Sequence, residues 1–380
     1  MSIASPILGV IGAARKPDER RVPIHPAHFE RIPAALRPRI LLESGYGEQF
    51  GASDDELRAL VGDIVPREAV VAASDVLLLP KPQLEDVREM RDGQVLWGWP
   101  HLVQDARMTQ LATEKKLTMI AFEAMQHWGD DGTLGLHVFH KNNELAGYCS
   151  VLHALQLCGS TGDYGRRLTA VVIGFGATAR GAVTALRAHG VHEVRVLTNR
   201  RTASVASPIH AVQMIQFDHD DEPYLSEVIT DEGRVPLAPF LAESDIVVNC
   251  TLQDPNRPLL YLREDDLTAF RPGSLIIDVS CDEGMGFEWA RPTTFADPMF
   301  RVGAVNYYGV DHSPSYLWNS ASWEISEALL GFIPTVMGGP EAWGANDSVS
   351  RAIEIRDGLI VNPAILEFQR RSAEYPHLEE

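Results

Sequence analysis

The stretch Ala170-Val-Val-Ile-Gly174-Phe-Gly176-Ala177-Thr178-Ala179-Arg-Gly181 carries the strongest indication of fold in this sequence. A strand-like apolar run leads into two glycines and then into a helix-like segment. Backbone N–H groups at such a helix N-terminus can approach a pyrophosphate, and Ala179 stands where the pattern takes its third small residue. Glycine turns after strands are common, but here the helix and the next strand also follow in order. The stretch predicts a Rossmann module with Gly174, Gly176, Ala177, Thr178 and Ala179 at its dinucleotide.

The next predicted strand ends in Thr198-Asn199-Arg200-Arg201. NAD-binding folds usually place Asp or Glu here to accept a hydrogen bond from the ribose 2′-OH, whereas NADP-binding folds place an Arg beside the 2′-phosphate. No carboxylate is present, and paired guanidinium groups can hold a phosphate with bidentate hydrogen bonds. A solvated basic turn is the alternative. We predict NADP(H), bound in part by Asn199, Arg200 and Arg201.

The composition is that of a globular protein large enough for two domains. Of the 380 residues 45% are apolar, and 52 acidic against 33 basic residues give a net charge of -19. That charge disfavours nucleic acid and anionic membranes as partners. No apolar run approaches the ~20 residues that span a bilayer. The four cysteines are scattered, which argues against a disulfide framework and a zinc site and favours a reducing cytoplasm.

Strand-like and helix-like segments alternate, which indicates an α/β protein. Short apolar runs at 7–11, 40–43, 76–79, 95–97 and 118–121 predict a parallel sheet. A long helix at 142–157 precedes a second series at 170–173, 193–197, 212–217, 245–249 and 275–279. Beyond Gly309 we expect no strands, only helices near 320–330 and 364–371. The predicted domains are 1–145 with 310–380, which would bind the substrate, and 146–309, which would bind the dinucleotide.

Three basic residues of the first domain are candidates for substrate chemistry. Lys81 and His101 directly follow strand-like runs, and Arg21 lies in Glu19-Arg-Arg-Val-Pro. The carboxyl ends of parallel strands are where open α/β sheets place their sites. A keto acid needs cations for its carboxylate and a proton donor for the atom that gains charge. Taken singly, each residue also has a structural interpretation, as an ion pair, an edge charge or a loop histidine.

The order of these motifs resembles the alanine dehydrogenase and pyridine nucleotide transhydrogenase family, from near the start to at least Pro314. The matching residues are Glu19-Arg-Arg21-Val-Pro-Ile-His-Pro26, Lys81-Pro82, His101, Glu123 and the signature from Asp278 through Asp282, Gly284, Glu288 and Arg291 to Thr294. The resemblance implies two doubly wound Rossmann-like domains with the active site in the cleft between them, and a homo-oligomer. It also implies Arg21, Lys81 and Glu123 at the substrate and His101 as general acid and base. Asp282 would lie at the nicotinamide side, either to orient the nicotinamide ribose or to tune His101 as a catalytic residue.

Departures from alanine dehydrogenase point to a branch that joins two amino-acid-like substrates. The residues Asn199-Arg-Arg, the loop at 281–287 and Val310-Asp311-His312-Ser-Pro-Ser315 are more similar to carboxyethylornithine synthase, which reduces an imine of pyruvate and a diamino acid. Asp311 and His312 would line the amine pocket; a capping Asp beside a core His is the structural alternative. Alanine dehydrogenase, saccharopine dehydrogenase and a non-catalytic NADP(H) sensor remain alternatives, whereas the missing apolar spans exclude the membrane-bound transhydrogenase.

Overall fold

The computed structural model describes residues 6–129, 131–199, 212–219, 224, 226–253 and 258–378. Two compact units make up the chain. The first contains Met1–His140 and Trp318–Glu380, and the second contains Lys141–Leu317. Within the described ranges, no helix has the length and apolar character required to cross a membrane.

An eight-stranded sheet forms the centre of the first unit. Its six parallel strands lie side by side in the chain order third, second, first, fourth, fifth, sixth, which is the doubly wound order. In that spatial order they are Asp63–Val65, Ile40–Glu43, Leu8–Val10, Val76–Leu78, Val95–Gly98 and Thr118–Ala121. The parallel sheet predicted from five apolar runs is confirmed.

The prediction that strands end at Gly309 is wrong. Ile353–Arg356 pairs antiparallel with Thr118–Ala121, and Leu359–Ile360 pairs with it in turn. The run Ile-Glu-Ile-Arg carries two charged residues in four, so it does not stand out as a buried strand. Its burial comes from the neighbouring strand, which sequence does not reveal.

The helices of the first unit surround this sheet. They are Asp54–Arg58, Arg67–Ala73, Leu84–Glu89, Ala106–Glu114, Trp318–Leu330, Ile333–Val336, Pro340–Gly344, Asp347–Ser350 and Pro363–Phe368. Short 3₁₀ turns occur at Pro26–Arg31, Arg37–Arg39, Glu48–Phe50 and Phe122–Ala124, and Gln126–Trp128 pairs with Leu134–His137 in a hairpin.

The second unit repeats the same strand order around a nine-stranded sheet. Its parallel strands, in spatial order, are Gln213–His219, Glu193–Thr198, Thr169–Ile173, Ile246–Asn249, Leu275–Asp278 and Val305–Tyr308. Ser226–Thr230 and Gly233–Pro236 extend one edge, and Met299–Val302 extends the other. Leu260–Leu262 pairs separately with Gly286–Phe287. The predicted second doubly wound sheet is confirmed.

Two long helices of the second unit touch through glycines. The helices are His140–Leu157, which begins at the last residue of the first unit's leading segment, and Ala177–Ala188. A Cβ on Gly181 would lie 1.7 Å from the Glu144 carbonyl oxygen, and one on Gly147 would lie 1.9 Å from the Thr178 carbonyl oxygen. Only glycine permits this backbone approach. Leu237–Ala242 and the 3₁₀ turns Glu264–Ala269 and Ser313–Leu317 complete the unit.

Candidate active site

The glycine turn of the second unit has the geometry of a phosphate cradle. Gly174 follows strand Thr169–Ile173 with φ of 103°, a conformation that side chains other than glycine rarely adopt. Gly176 is the N-cap of helix Ala177–Ala188 and has no side chain of its own to cap the N–H groups at the start of that helix. A Cβ on Gly176 would meet nothing within 4 Å, so open space faces the turn. These features fit a pyrophosphate held by backbone N–H groups.

This turn lies where the strand order reverses. Strand Thr169–Ile173 has Glu193–Thr198 on one side and Ile246–Asn249 on the other, and a Cβ on Gly174 would approach the Cys250 carbonyl oxygen to 3.1 Å. Open α/β sheets bind their ligands at this switch point. Thr198 is buried and Asn199 is exposed at the end of the neighbouring strand, whereas Arg200 and Arg201 lie outside the described residues.

Asp282 lies in a loop whose start is held by a hydrogen bond to the buried carboxylate of Asp278. Asp278, at the end of strand Leu275–Asp278, accepts hydrogen bonds from Asn249 Nδ2 at 2.9 Å, from the Cys281 backbone N–H at 3.0 Å and from the Tyr307 hydroxyl at 2.9 Å. Burial raises the pKa of Asp278 to about 6, and the charge of Asp282 adds to the increase. Burial also raises the pKa of the half-buried Asp282. The role of Asp278 was missed from sequence, although it begins the quoted signature.

The structure brings Lys81, His101 and Glu123 together in the first unit. They follow three adjacent parallel strands, Val76–Leu78, Val95–Gly98 and Thr118–Ala121, so all three lie at the carboxyl edge of the sheet. Lys81 Nζ is 2.6 Å from His101 Nε2. The His101 backbone N–H donates to Glu123 Oε1 at 2.7 Å, and His101 Nδ1 lies 3.9 Å from the same oxygen.

This cluster fixes how the imidazole can carry its proton. A lysine ammonium only donates hydrogen bonds, so its contact with His101 requires an unprotonated Nε2. The remaining proton then belongs on Nδ1, which faces Glu123. Burial and the charge of Glu354 raise the pKa of Glu123, and the charge of Lys81 acts in the opposite direction. In this arrangement, Nε2 is the ring nitrogen of His101 that lacks a proton.

Arg21 is a buried cation held by a near neighbour in sequence. Its side chain is 3% exposed, and its Nε and one terminal nitrogen donate to the two carboxylate oxygens of Glu19 at 2.8 and 2.5 Å. The guanidinium carbon lies 5.6 Å from the ring centroid of Trp99, two residues before His101. The pairing partner Glu19 was not predicted as a site residue, although the E-x-R spacing could have indicated it.

Asp311 and His312 lie in the second unit. His312 is buried against Phe295, with ring centroids 5.0 Å apart, and its Nδ1 is 2.6 Å from the Asp311 carboxylate. Asp311 keeps about a third of its side chain exposed, at 33%. Of the two, Asp311 is the more exposed side chain, and a role of either residue in amine binding stays a prediction.

Two doubly wound sheets, one with a glycine turn at its switch point, define a two-unit protein of the dinucleotide-binding Rossmann type. Residues 10–142 match the alanine dehydrogenase/PNT N-terminal domain, and residues 163–363 match the alanine dehydrogenase/PNT C-terminal domain. Because these matches cover more than half of the chain, the protein belongs to the alanine dehydrogenase/PNT family. Members of this family are oxidoreductases that bind a pyridine nucleotide.

Relatives with assigned activities span most of the chain. An N(5)-(carboxyethyl)ornithine synthase of Clostridium botulinum is 26% identical over 82% of this chain and 89% of its own length. An alanine dehydrogenase of Halomonas elongata is 25% identical over 86% and 88%. A solved L-alanine dehydrogenase superposes with a TM-score of 0.74 at 19% identity, covering 95% of this chain and 98% of its own. A transhydrogenase from Sinorhizobium meliloti has a TM-score of 0.69 at 21% identity, over 94% and 99%. The two solved structures support the fold.

Proposed function

We propose that this protein is an NADPH-dependent opine-type dehydrogenase. Its substrate would be the imine formed between pyruvate, or a similar 2-keto acid, and the side-chain amine of ornithine or lysine. The observation that carries the proposal is the contact between Lys81 Nζ and His101 Nε2 at the carboxyl edge of the first sheet. In this pair Lys81 would supply a cation for the carboxylate and His101 would transfer protons, the two groups that a keto acid requires. The carboxyethylornithine synthase relative supports the choice of amine.

Arg21 and Lys81 would bind the keto-acid carboxylate. Glu19 holds the Arg21 guanidinium through two hydrogen bonds, so its orientation is set before substrate arrives. Such preorganisation lowers the entropy lost when the substrate binds. Lys81 contributes a point charge that also reaches His101.

His101 would move protons during imine formation and after reduction. With Nε2 unprotonated in its contact with Lys81, the imidazole can accept a proton from the amine as its C–N bond forms and donate it to the hydroxyl group, which then leaves as water. An ordinary imidazole changes protonation near neutral pH, as this role requires. Glu123, through its contact with the His101 backbone, keeps the ring in place.

The residues that would hold NADPH are Gly174, Gly176, Ala177, Thr178 and Ala179 at the pyrophosphate, Asn199, Arg200 and Arg201 at the 2′-phosphate, and Asp282 at the nicotinamide side. When bound, the nucleotide supplies a hydride. The glycine at the N-cap, which has no side chain, and the open space around it support the pyrophosphate assignment. The absence of a carboxylate in Thr198-Asn-Arg-Arg201 supports NADPH over NADH.

The amine is tested by competition between nucleophiles. Pyruvate with ornithine or lysine should drive NADPH oxidation far faster than pyruvate with ammonia, because a polar amine pocket filled only by ammonia keeps unsatisfied groups. Mass spectrometry should detect a secondary amine product. Turnover with ammonia that added diamino acids do not change would instead establish an alanine dehydrogenase, the second candidate, which the relative from Halomonas elongata favours.

The nucleotide is tested separately from the amine. Changing both Arg200 and Arg201 to Ala should weaken NADPH binding by up to several kcal/mol and leave NADH binding unchanged, because two guanidinium groups would contact only the 2′-phosphate. Titration calorimetry with both nucleotides measures this. Equal affinity of the unaltered protein for NADH and NADPH would refute the assignment.

A further inference from the structure

A second carboxyl group approaches the site from the last part of the sequence. Strand Ile353–Arg356 pairs with Thr118–Ala121, and the Ala121 N–H donates to the Ala352 carbonyl oxygen at 2.8 Å. Glu354, on this added strand, is only 4% exposed. Its negative charge acts on Glu123, which directly follows the strand it joins. Two acidic side chains, one of them hydrogen-bonded to the His101 backbone, therefore act on each other electrostatically.

Each of these carboxyl groups has one oxygen in a hydrogen bond and one without. Glu123 Oε1 accepts from the His101 backbone N–H, and Glu354 Oε1 accepts from Asn362 Nδ2 at 2.8 Å. In the described part of the chain, Glu123 Oε2 and Glu354 Oε2 are both buried without a hydrogen-bond partner. Two ionised carboxylates placed in this way would pay a desolvation cost and repel each other. One proton on the pair removes most of that cost.

We propose that Glu123 and Glu354 together hold one proton at neutral pH, and that Glu354 is a positioning residue that sets the charge which Glu123 presents to His101. The inference rests on the proposed function only in taking His101 as the proton-transferring group. The shared proton itself does not depend on which amine or keto acid is the substrate. Glu354 acts through Glu123 and does not touch the reacting atoms.

The charged groups around the pair support a single shared proton. Burial and repulsion by Glu354 raise the pKa of Glu123, and burial raises the pKa of Glu354. The Lys81 charge and the His101 N–H oppose this increase at Glu123. His137, whose Nε2 is 3.2 Å from the Glu123 carbonyl oxygen, has a pKa lowered by burial and so adds no positive charge at neutral pH. Such a pair loses its protons in two steps that belong to both groups.

A raised pKa in the folded state has a definite effect on stability. An ordinary glutamate in the unfolded chain titrates near pH ~4.3, so above that pH the folded protein holds more protons at the pair than the unfolded chain does. The free energy of unfolding therefore falls as the pH rises, until the pH exceeds the raised pKa values. Glu354→Gln removes one titrating group and the repulsion it causes, and its amide oxygen can still accept from Asn362.

The experiment measures the melting temperature of the full chain between pH 5 and pH 8.5. For Glu354→Gln, we expect the melting temperature to rise relative to the unaltered protein as the pH increases, by about 2–4 °C across the range. Glu367→Gln, an exposed glutamate of the same segment, is the matched control and should show a constant difference. Glu354→Asp restores a titrating carboxyl group and should return the pH dependence. A pH-independent difference for Glu354→Gln would overturn the shared proton.

Activity gives a second readout that a purely structural role would not move. Loss of the shared proton at high pH adds negative charge near His101 and favours the imidazolium. Without repulsion from Glu354, Glu123 loses its proton at lower pH and presents more negative charge to His101, so the limb of the kcat profile that reports His101 should shift to higher pH in Glu354→Gln, with any amine that supports turnover. An unchanged profile would remove the positioning role.

If Glu354→Gln does not fold, Glu123→Gln should remove the same pH dependence of the melting temperature, and its failure to do so would contradict the proposal. Failure of the ornithine or lysine assay leaves the melting measurement valid, so the two proposals fail separately.

Discussion

His101 has an unusual backbone conformation in addition to an imidazole that contacts Lys81. Its φ is 50°, in the left-handed region that few residues other than glycine and asparagine occupy. The hydrogen bond from its N–H to Glu123 Oε1 stabilises this conformation. The backbone turn therefore aims the ring at Lys81, and the two functions of the residue can be separated by substitution.

Replacing His101 by asparagine should abolish proton transfer and keep the turn. Asparagine tolerates the left-handed conformation, but it does not exchange a proton near neutral pH. We expect kcat to fall by about 100- to 10,000-fold, with NADPH affinity unchanged because the glycines proposed to bind the nucleotide lie in the other unit. Steady-state kinetics and nucleotide titration measure the two effects.

His192→Ala is the matched control, because His192 is an exposed histidine of the second unit. It should leave kcat unchanged. A His101→Asn protein with full activity would remove His101 from the proposed mechanism.

At the residue level, the sequence indicates the polar residues that follow strands. It does not indicate the buried residues that hydrogen-bond to them or act on their charge. Lys81 and His101 could be predicted because each directly follows an apolar run. Glu354 lies more than two hundred residues from Glu123 and reaches it only through strand pairing, which no local pattern reveals. Asp278 reads as a strand residue until its three hydrogen bonds are seen. The residues that contact a buried charge are set by tertiary structure, so local sequence patterns do not predict them.

Among the elements, the glycine turn and the helix that follows it allow nucleotide binding and stability to be tested by different substitutions. A Cβ on Gly176 would project into open space, so Gly176→Ala should change the free energy of unfolding by less than about 0.5 kcal/mol. The added methyl group would occupy space that the pyrophosphate needs. We expect nucleotide affinity to fall at least about tenfold, equivalent to ~1.4 kcal/mol, measured by fluorescence titration.

Gly181→Ala tests the contrasting case on the same helix. Its Cβ would lie 1.7 Å from the Glu144 carbonyl oxygen, so the two helices would have to separate. This variant should lose stability in urea unfolding, whereas Gly176→Ala should not. Unimpaired nucleotide binding by Gly176→Ala would show that the turn does not hold the pyrophosphate.

The elements that sequence predicted well are the ones whose own residues determine their environment. Strands such as Thr169–Ile173 and Thr118–Ala121 are apolar after their first threonine because a parallel sheet buries both of their faces. Asp63–Val65 and Ile353–Arg356 lie towards the edges of the first sheet and carry charged residues, so their patterns are weaker. Their burial depends on neighbours distant in sequence.

For the whole molecule, each unit has its own hydrophobic clusters, so we predict that nucleotide binding stabilises one unit and not the other. The first unit has clusters around Trp97 and Leu96, and the second has clusters around Val172 and Val171. NADPH at 100 times its Kd should stabilise the unit that binds it by about 2.7 kcal/mol. Hydrogen exchange by mass spectrometry should therefore slow by about 100-fold in Thr169–Ile173, for amides that exchange when the unit opens.

Amides of Thr118–Ala121, in the other unit, should keep their exchange rates in the same experiment. Equal slowing in both strands would mean that the two units open together. No slowing in Thr169–Ile173 would argue against nucleotide binding at the glycine turn.

The added strand Ile353–Arg356 also determines the order in which this protein matures on the ribosome. All of Lys141–Leu317 is synthesised between Thr118–Ala121 and the strand that joins it. At ~5–20 residues per second, the second unit has seconds to fold while the first sheet still lacks its last strands. A nascent chain therefore completes its nucleotide-binding unit before it acquires Glu354. An interrupted translation product would end without Glu354, so the proposed proton chemistry is complete only in a chain translated past that strand.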